Sequence, residues 1–137
     1  FVGLQDIAVE LDGSGDINSN GPIESAGTVT AKMEGSGDLN LQLKGNQVNA
    51  SLAGSGDIRL RGTAQNLTVD LDGSGDIKAF DMEAADCKAK LGGSGTIKVY
   101  VTGNLEASIH GSGDIEYKGD PNVNADIDGS GSVSRAD

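Results

Sequence analysis

Gly-Ser-Gly occurs seven times in this chain, beginning at Gly13, Gly35, Gly54, Gly73, Gly93, Gly111 and Gly129. The successive spacings are 22, 19, 19, 20, 18 and 18 residues. A period of about twenty residues marks a repeat architecture, in which each unit leans on its neighbours instead of on a core of its own. The triplets use 14 of the 22 glycines, so the excess glycine of this 137-residue chain is punctuation and not linker. Collagen is excluded, because glycine does not recur at every third position.

Aligning the repeats on the first glycine of each triplet exposes columns. Six residues before it stand Ile7, Val29, Val48, Leu67, Cys87, Leu105 and Val123. Four before stand Val9, Ala31, Ala50, Val69, Ala89, Ala107 and Ala125. Two before stand Leu11, Met33, Leu52, Leu71, Leu91, Ile109 and Ile127. The positions between them are mostly polar, as in Glu10, Lys32, Ser51, Asp70, Lys90, Ser108 and Asp126. Such alternation is the pattern of a half-buried strand. A second strand follows each triplet, with Ile17, Leu39, Ile58, Ile77, Ile97, Ile115 and Val133 facing inward. Leu41, Leu60, Ala79 and Val99 continue inward, while Ser19, Tyr117 and Arg135 loosen the pattern at the ends. No segment carries a sustained helical stripe.

Each unit therefore reads as strand, Gly-Ser-Gly corner, strand and variable turn, such as Gly62–Asn66. One unit cannot bury its apolar edge alone; identical columns stacked in register can, and that requires parallel pairing between successive coils. The fold expected is all-β: a single-stranded parallel β-helix, a solenoid of about seven coils formed by residues 1–137 as one domain. Right-handed coiling follows from the crossover preference of parallel strands. At the usual strand separation the rod would be roughly 35 Å long. Flattened and triangular cross-sections both fit. An antiparallel sandwich of hairpins also explains alternation, but not why each coil repeats the same side chain at the same place. Four aromatic residues and no tryptophan imply a thin core of Leu, Ile, Val and Ala.

Glycine on both sides of the corner serine points to positive φ or to a bend too crowded for a Cβ. The serines, Ser14, Ser36, Ser55, Ser74, Ser94, Ser112 and Ser130, recur in every coil. A catalytic serine would be unique and paired with a base, so these read as structural. Next comes the column Asp16, Asp38, Asp57, Asp76, Thr96, Asp114 and Ser132. Carboxylates stacked at one strand spacing repel by roughly 0.9 kcal/mol per neighbour even in water, which a ladder of calcium ions would relieve. Calcium-binding β-rolls repeat every nine residues, about half the interval here. Thr96 and Ser132 share with Asp only a side-chain acceptor, so the column reads as hydrogen-bonded turn chemistry. Arg59, Lys78 and Lys98 lie two residues further along the same face and could pair with it.

His110, Ser112 and Asp114 resemble a triad on paper but follow one another around one corner, and His110 reads as a solvated surface residue. Cys87, the one cysteine, falls in an inward column and reads as a small buried hydrophobe. Asn49-Ala50-Ser51 and Asn66-Leu67-Thr68 match the N-glycosylation pattern. No residue is assigned as catalytic, cofactor-binding or metal-ligating, and no cofactor is expected. Net charge is −11, which argues against nucleic acid and anionic membranes. No apolar run approaches the ~18 residues of a membrane span. Starting at Phe1 and not at Met suggests that a targeting segment was removed, or that this is an excised part of a longer protein.

The repeated Gly-Ser-Gly-Asp-Ile of residues 13–17, 54–58, 73–77 and 111–115 resembles the head GIN domain of putative auto-transporter adhesins. Leu105 through Gly119 (LEASIHGSGDIEYKG), followed by Asp120-Pro121 and Gly129-Ser130-Gly131-Ser132-Val133, is similar to that family's C-terminal signature. The resemblance covers essentially the whole chain. It implies a right-handed parallel β-helix exported to the periplasm, the outer membrane surface or the extracellular space of a Gram-negative bacterium. The family carries no established catalytic residues. Its domain usually has a further strand-rich segment before the first such coil, so the chain reads as the C-terminal part of a longer family domain, with Phe1, Val2 and Leu4 as a candidate cap.

Three functions follow as expectations. The first is a non-enzymatic cell-surface or periplasmic recognition module, its partner a glycan or protein at the cell surface. The second is a structural β-helix that self-assembles into homo-oligomers through its open ends. The third is a calcium-dependent polysaccharide-binding or lyase-like protein; against it, the acids and bases are spread over the repeats. The longest excursion, near residues 18–27, carries only Glu24 as a charge.

Overall fold

The computed structural model describes residues 6–136, apart from the side chains of residues 6, 7 and 19–26. The expected cap (Phe1, Val2, Leu4) and the side chains of Ile7, Ser19 and Glu24 lie outside the described residues. Nine strands follow in order: β1 (Asp6–Gly13), β2 (Asp16–Gly35), β3 (Asp38–Gly54), β4 (Asp57–Gly73), β5 (Asp76–Gly93), β6 (Thr96–Gly111), β7 (Asp114–Lys118), β8 (Asn122–Asp128) and β9 (Ser132–Arg135). All of their pairings are parallel. Each long strand from β2 to β6 runs from one corner to the next and pairs with the strand before it and the strand after it. β7 and β8 share the following turn, both pairing with β6. The result is a parallel β-solenoid of about six turns. Seven corners enclose six complete intervals, which accounts for the difference from the expected seven coils.

The corner has two glycine requirements, one for each glycine. The first takes positive φ, as at Gly54 (127°), a conformation that L side chains rarely adopt. The second does not; there the constraint is space. A Cβ on Gly56 would collide with the carbonyl oxygen of Gly37 in the preceding coil. The close approach exists because the corner continues the inter-coil ladder. Gly35 O accepts from Ser55 N at 3.1 Å and from Gly56 N at 3.3 Å, and Asp57 N donates to Gly37 O at 3.2 Å. The bend thus leaves few buried backbone groups unpaired.

Inward columns become stacks. Val29, Val48, Leu67, Cys87 and Leu105 are buried in succession, as are Ala31, Ala50, Val69, Ala89 and Ala107 and the bulkier Met33, Leu52, Leu71, Leu91 and Ile109. Leu39, Ile58, Ile77, Ile97 and Ile115 close the core from the strand after the corner. The expected variable turn is a finding of a different kind: it is strand. Gly62, Thr63, Ala64 and Asn66 pair with Leu43, Lys44, Gly45 and Gln47 of the preceding coil. This stretch adds a third wall, with Leu43, Ala64, Met82, Ala84 and Val101 buried. Apolar positions here shift between coils because coil lengths differ, so no single alignment aligns them. Core contact thins at the ends: Val9 and Leu11 are partly buried, while Val123 and Ile127 are 39% and 41% exposed.

Cys87 is one stacked core residue among others, and burial pushes its thiol from the ordinary 9.0 up to about 12, because the thiolate loses its hydration there. The proton therefore favours the folded state. That contribution is fully present below pH 9 and is lost as pH rises from 9 toward 12. Below pH 9 the native thiol is expected to resist iodoacetamide while the urea-unfolded chain alkylates completely. Cys87→Val should flatten the alkaline limb of the stability curve; rapid alkylation of native protein would contradict the buried assignment.

Gly56→Ala is expected to cost about 3 kcal/mol in urea unfolding, since backbone atoms cannot move aside for the new methyl. Gly92 is the control: a Cβ there meets only Asp72 Oδ1 at 3.7 Å and Leu71 O at 4.0 Å. Gly92→Ala should change stability by less than about 1 kcal/mol. Equal effects of the two substitutions would show that the corner tolerates side chains.

Candidate functional site

Because side chains alternate across each strand, every wall of the solenoid carries outward lanes, one residue per coil. The wall before the corner carries three lanes. One runs Thr30, Asn49, Thr68, Lys88, Glu106 and Asn124; the next Lys32, Ser51, Asp70, Lys90, Ser108 and Asp126; the third Glu34, Ala53, Asp72, Gly92, His110 and Asp128. Small side chains hollow the middle of this wall into a shallow groove of about 620 Å³ that touches Ser51, Ala53, Gly92 and Ser108. A second groove of about 490 Å³ runs beside Asn66, Asp86, Asn104 and Asn122. Both are open along the coils, and neither is walled by a long loop.

Ion pairs on the outside join coil to coil. Lys88 Nζ lies 3.6 Å from Glu106 Oε2, Lys98 Nζ 3.8 Å from Glu116 Oε2 and His110 Nδ1 3.7 Å from Asp128 Oδ2. The first and third are well exposed and contribute little to stability, while Lys98 and Glu116 are half-buried. The triad-like His110, Ser112 and Asp114 are not brought together: His110 turns to Asp128, and Asp114 Oδ1 accepts from Ser132 Oγ at 3.0 Å. The corner serines are exposed, and the corner's inter-coil bonds are made by the main chain.

The Asp column stands in register, Asp16 beside Asp38, Asp38 beside Asp57 and Asp57 beside Asp76. Asp16 Oδ1 accepts from Asp38 N of the next coil at 3.2 Å, an acceptor role between coils where one within the turn was expected. Among the described residues, no group of three or more His, Cys, Asp or Glu side chains is placed to hold a metal ion. The expected pairing of the cation lane with the Asp column is corrected: among the described residues, no ion pair joins Arg59, Lys78 or Lys98 to it. Strand neighbours two residues apart on one face sit further apart than register neighbours in adjacent coils, so Lys98 turns to Glu116, its register partner. Of the two glycosylation-pattern asparagines, Asn49 is half-buried and Asn66 exposed.

Two features escaped the sequence reading. Seven residues before the corner, Asp86, Asn104 and Asn122 form a polar ladder: Asn104 N and Nδ2 donate to Asp86 Oδ1 at 3.2 and 3.1 Å, and Asn122 Nδ2 donates to Asn104 Oδ1 at 3.3 Å. The same alignment that revealed the core columns contains this one. The second is Phe80, whose ring centroid lies 5.8 Å from Lys98 Nζ and 4.9 Å from Lys118 Nζ. Its only sequence signal is the coil of 20 residues in which it sits, longer than the 18 that follow.

Comparison with known proteins fits this architecture. A crystal structure from Parabacteroides distasonis, described as a putative lipid binding protein, matches at TM-score 0.91 and 36% identity, covering 98% of this chain and 56% of its own. A putative adhesin from Bacteroides fragilis matches at TM-score 0.89 and 27% identity, covering 95% of this chain and 60% of its own. A putative adhesin from Parabacteroides merdae matches at TM-score 0.76 and 26% identity, covering 98% and 64%. The chain thus spans about three fifths of the length of these solved relatives. No curated protein matches it. Among the described residues no helix is long and apolar enough to cross a membrane. Residues 4–121 match the family model described as putative auto-transporter adhesin, head GIN domain, and the chain belongs to that family.

Proposed function

We propose that this chain is a non-catalytic recognition module, exported to the periplasm or the outer surface of a Gram-negative bacterium, that binds a glycan or protein along the outside of its solenoid. The observation that carries the reading is the set of outward polar lanes, held in register and hollowed into shallow grooves among the described residues. Such a surface suits an extended partner. Among the described residues it does not gather an acid, a base and a nucleophile around one reacting atom, as hydrolysis or lyase chemistry needs. The family's adhesin description and the two relatives named as adhesins support the same direction. The relative named for lipid binding raises a different ligand class. Here the described core is filled by stacked side chains, so a lipid would have to lie on the outside.

A second reading, end-to-end assembly, is favoured by one observation: Val123 and Ile127 expose apolar surface on the last coil. An added strand pairing there would extend the ladder and cover both. Sedimentation velocity over a wide concentration range decides this reading, and a sedimentation coefficient independent of concentration removes it.

For the main reading, the purified chain is expected to give at least one saturable ligand on glycan and matrix-protein arrays. Incubation with the same glycans should release no product with or without calcium. Silence on every array would defeat the recognition reading, and release of saccharide fragments would defeat the non-catalytic one.

A further inference from the structure

We propose that the outer face around Phe80 binds an anionic polysaccharide laid along the solenoid axis. This rests on the recognition reading and narrows its ligand to a polymer bearing carboxylate or sulfate groups. Arg59, Lys78 and Lys98 occupy one lane in three successive coils, spaced by the ~4.8 Å of paired strands. Two residues beyond this lane, Arg61 pairs with Asp81, and Lys118 lies in the lane of Glu83 and Tyr100. Five of the ten Lys and Arg side chains of the chain thus gather on three neighbouring lanes. The acids among them are Asp81, Glu83 and Glu116. In a chain of net charge −11 this is a local reversal of sign, and such a patch draws a polyanion to itself.

Phe80 shapes the patch. The longer coil loses register with the next one between Ala79 and Glu83, and Phe80 sits in that irregularity, half-buried on the outside. Its ring takes the ammonium groups of Lys98 and Lys118, from the next coil and the one after, within 6 Å of one centroid. The negative ring face offsets part of the repulsion between the two cations. Lys118, unlike Lys98, has no carboxylate in ion-pair range among the described residues. Beside it, Tyr100 is the register partner of Lys118 and lies against Gly119, where a Cβ would come 3.1 Å from the ring. Phe80 is therefore a positioning residue: it holds two long, flexible side chains in place before a ligand arrives.

The Asp column fixes the direction of the ligand. Asp57 and Asp76 flank Arg59 and Lys78 on one side. A polyanion crossing the wall would meet these carboxylates, whereas one running along the axis meets a cation in each of three successive coils. The coil spacing is close to the length of one pyranose residue, so one charged group per sugar can follow the lane.

Isothermal titration at low salt with polygalacturonate, dextran sulfate and neutral dextran tests the proposal. One or both anionic polymers should bind, the dextran should not, and added salt should weaken binding. Arg59→Gln/Lys78→Gln/Lys118→Gln is expected to weaken binding by about tenfold or more. Lys118→Gln alone should weaken it measurably, whereas Arg135→Gln, outside these lanes and the two grooves, should leave it nearly unchanged. Phe80→Leu should weaken binding while Phe80→Tyr preserves it, with circular dichroism confirming that each variant folds. Equal losses from the two single-charge variants, Lys118→Gln and Arg135→Gln, would reduce the effect to net charge and overturn the site. Binding of phosphatidylglycerol vesicles or single-stranded DNA in place of both anionic polysaccharides would also overturn it. If the arrays give a neutral glycan or protein ligand while both anionic polymers stay silent, this inference falls and the general recognition reading stands. Silence in every assay removes both.

Discussion

The solenoid depends on one carbonyl oxygen in each corner. The first glycine of a triplet offers its oxygen to two N–H groups of the next coil, as Gly54 does to Ser74 N at 3.1 Å and Gly75 N at 3.2 Å. That geometry carries the parallel ladder around a bend where a ladder would ordinarily end. It demands positive φ at the first glycine and leaves no room for a Cβ at the second. Once the corners coincide, the register of both flanking strands is set. A slip of one residue would turn every inward side chain outward, so the apolar columns and the corners enforce each other.

This coupling explains what the sequence makes legible. The columns at two, four and six residues before the corner, and at the start of the following strand, are fixed by distance from a glycine that cannot move. Val69, Leu71 and Ile77 can therefore be assigned to the core from spacing alone, and each is fully buried. The third wall lies furthest from any corner. Leu43, Met82 and Val101 are equally buried, but their offset varies with coil length, and turn-forming residues such as Gly62 and Asn66 conceal a strand. The surface is less legible still. Lys98 sits on the same face as the Asp column, and counting along the chain favours that pairing; the nearest carboxylate belongs to another coil. Phe80 gathers lysines from two other coils, Lys98 and Lys118, and no local pattern encodes that.

Stability and recognition are separated in space. The residues that repeat most faithfully, the corner Gly-Ser-Gly and the inward aliphatics, build the stack. The outward lanes differ from coil to coil: Thr68 gives way to Lys88 and then Glu106, and Asn40 to Arg59, Lys78 and Lys98. Surface substitutions away from caps and cores change stability little. A solenoid of this kind can thus alter its surface chemistry lane by lane without disturbing the ladder beneath.

The irregularities of register have a consequence for how such a chain can grow. They fall between Asn18 and Pro22, Ser25 and Thr28, Arg59 and Arg61, Ala79 and Glu83, and Ala84 and Asp86, all between the third residue after one corner and the seventh before the next. The corner, the seven residues before it and the three after it form a spine in constant register, and the perimeter between absorbs the differences in length. Chain-length polymorphism is thereby confined to one side of the molecule, and new loops arise there, next to the wall that carries Phe80, at no cost to the spine that keeps the coils aligned.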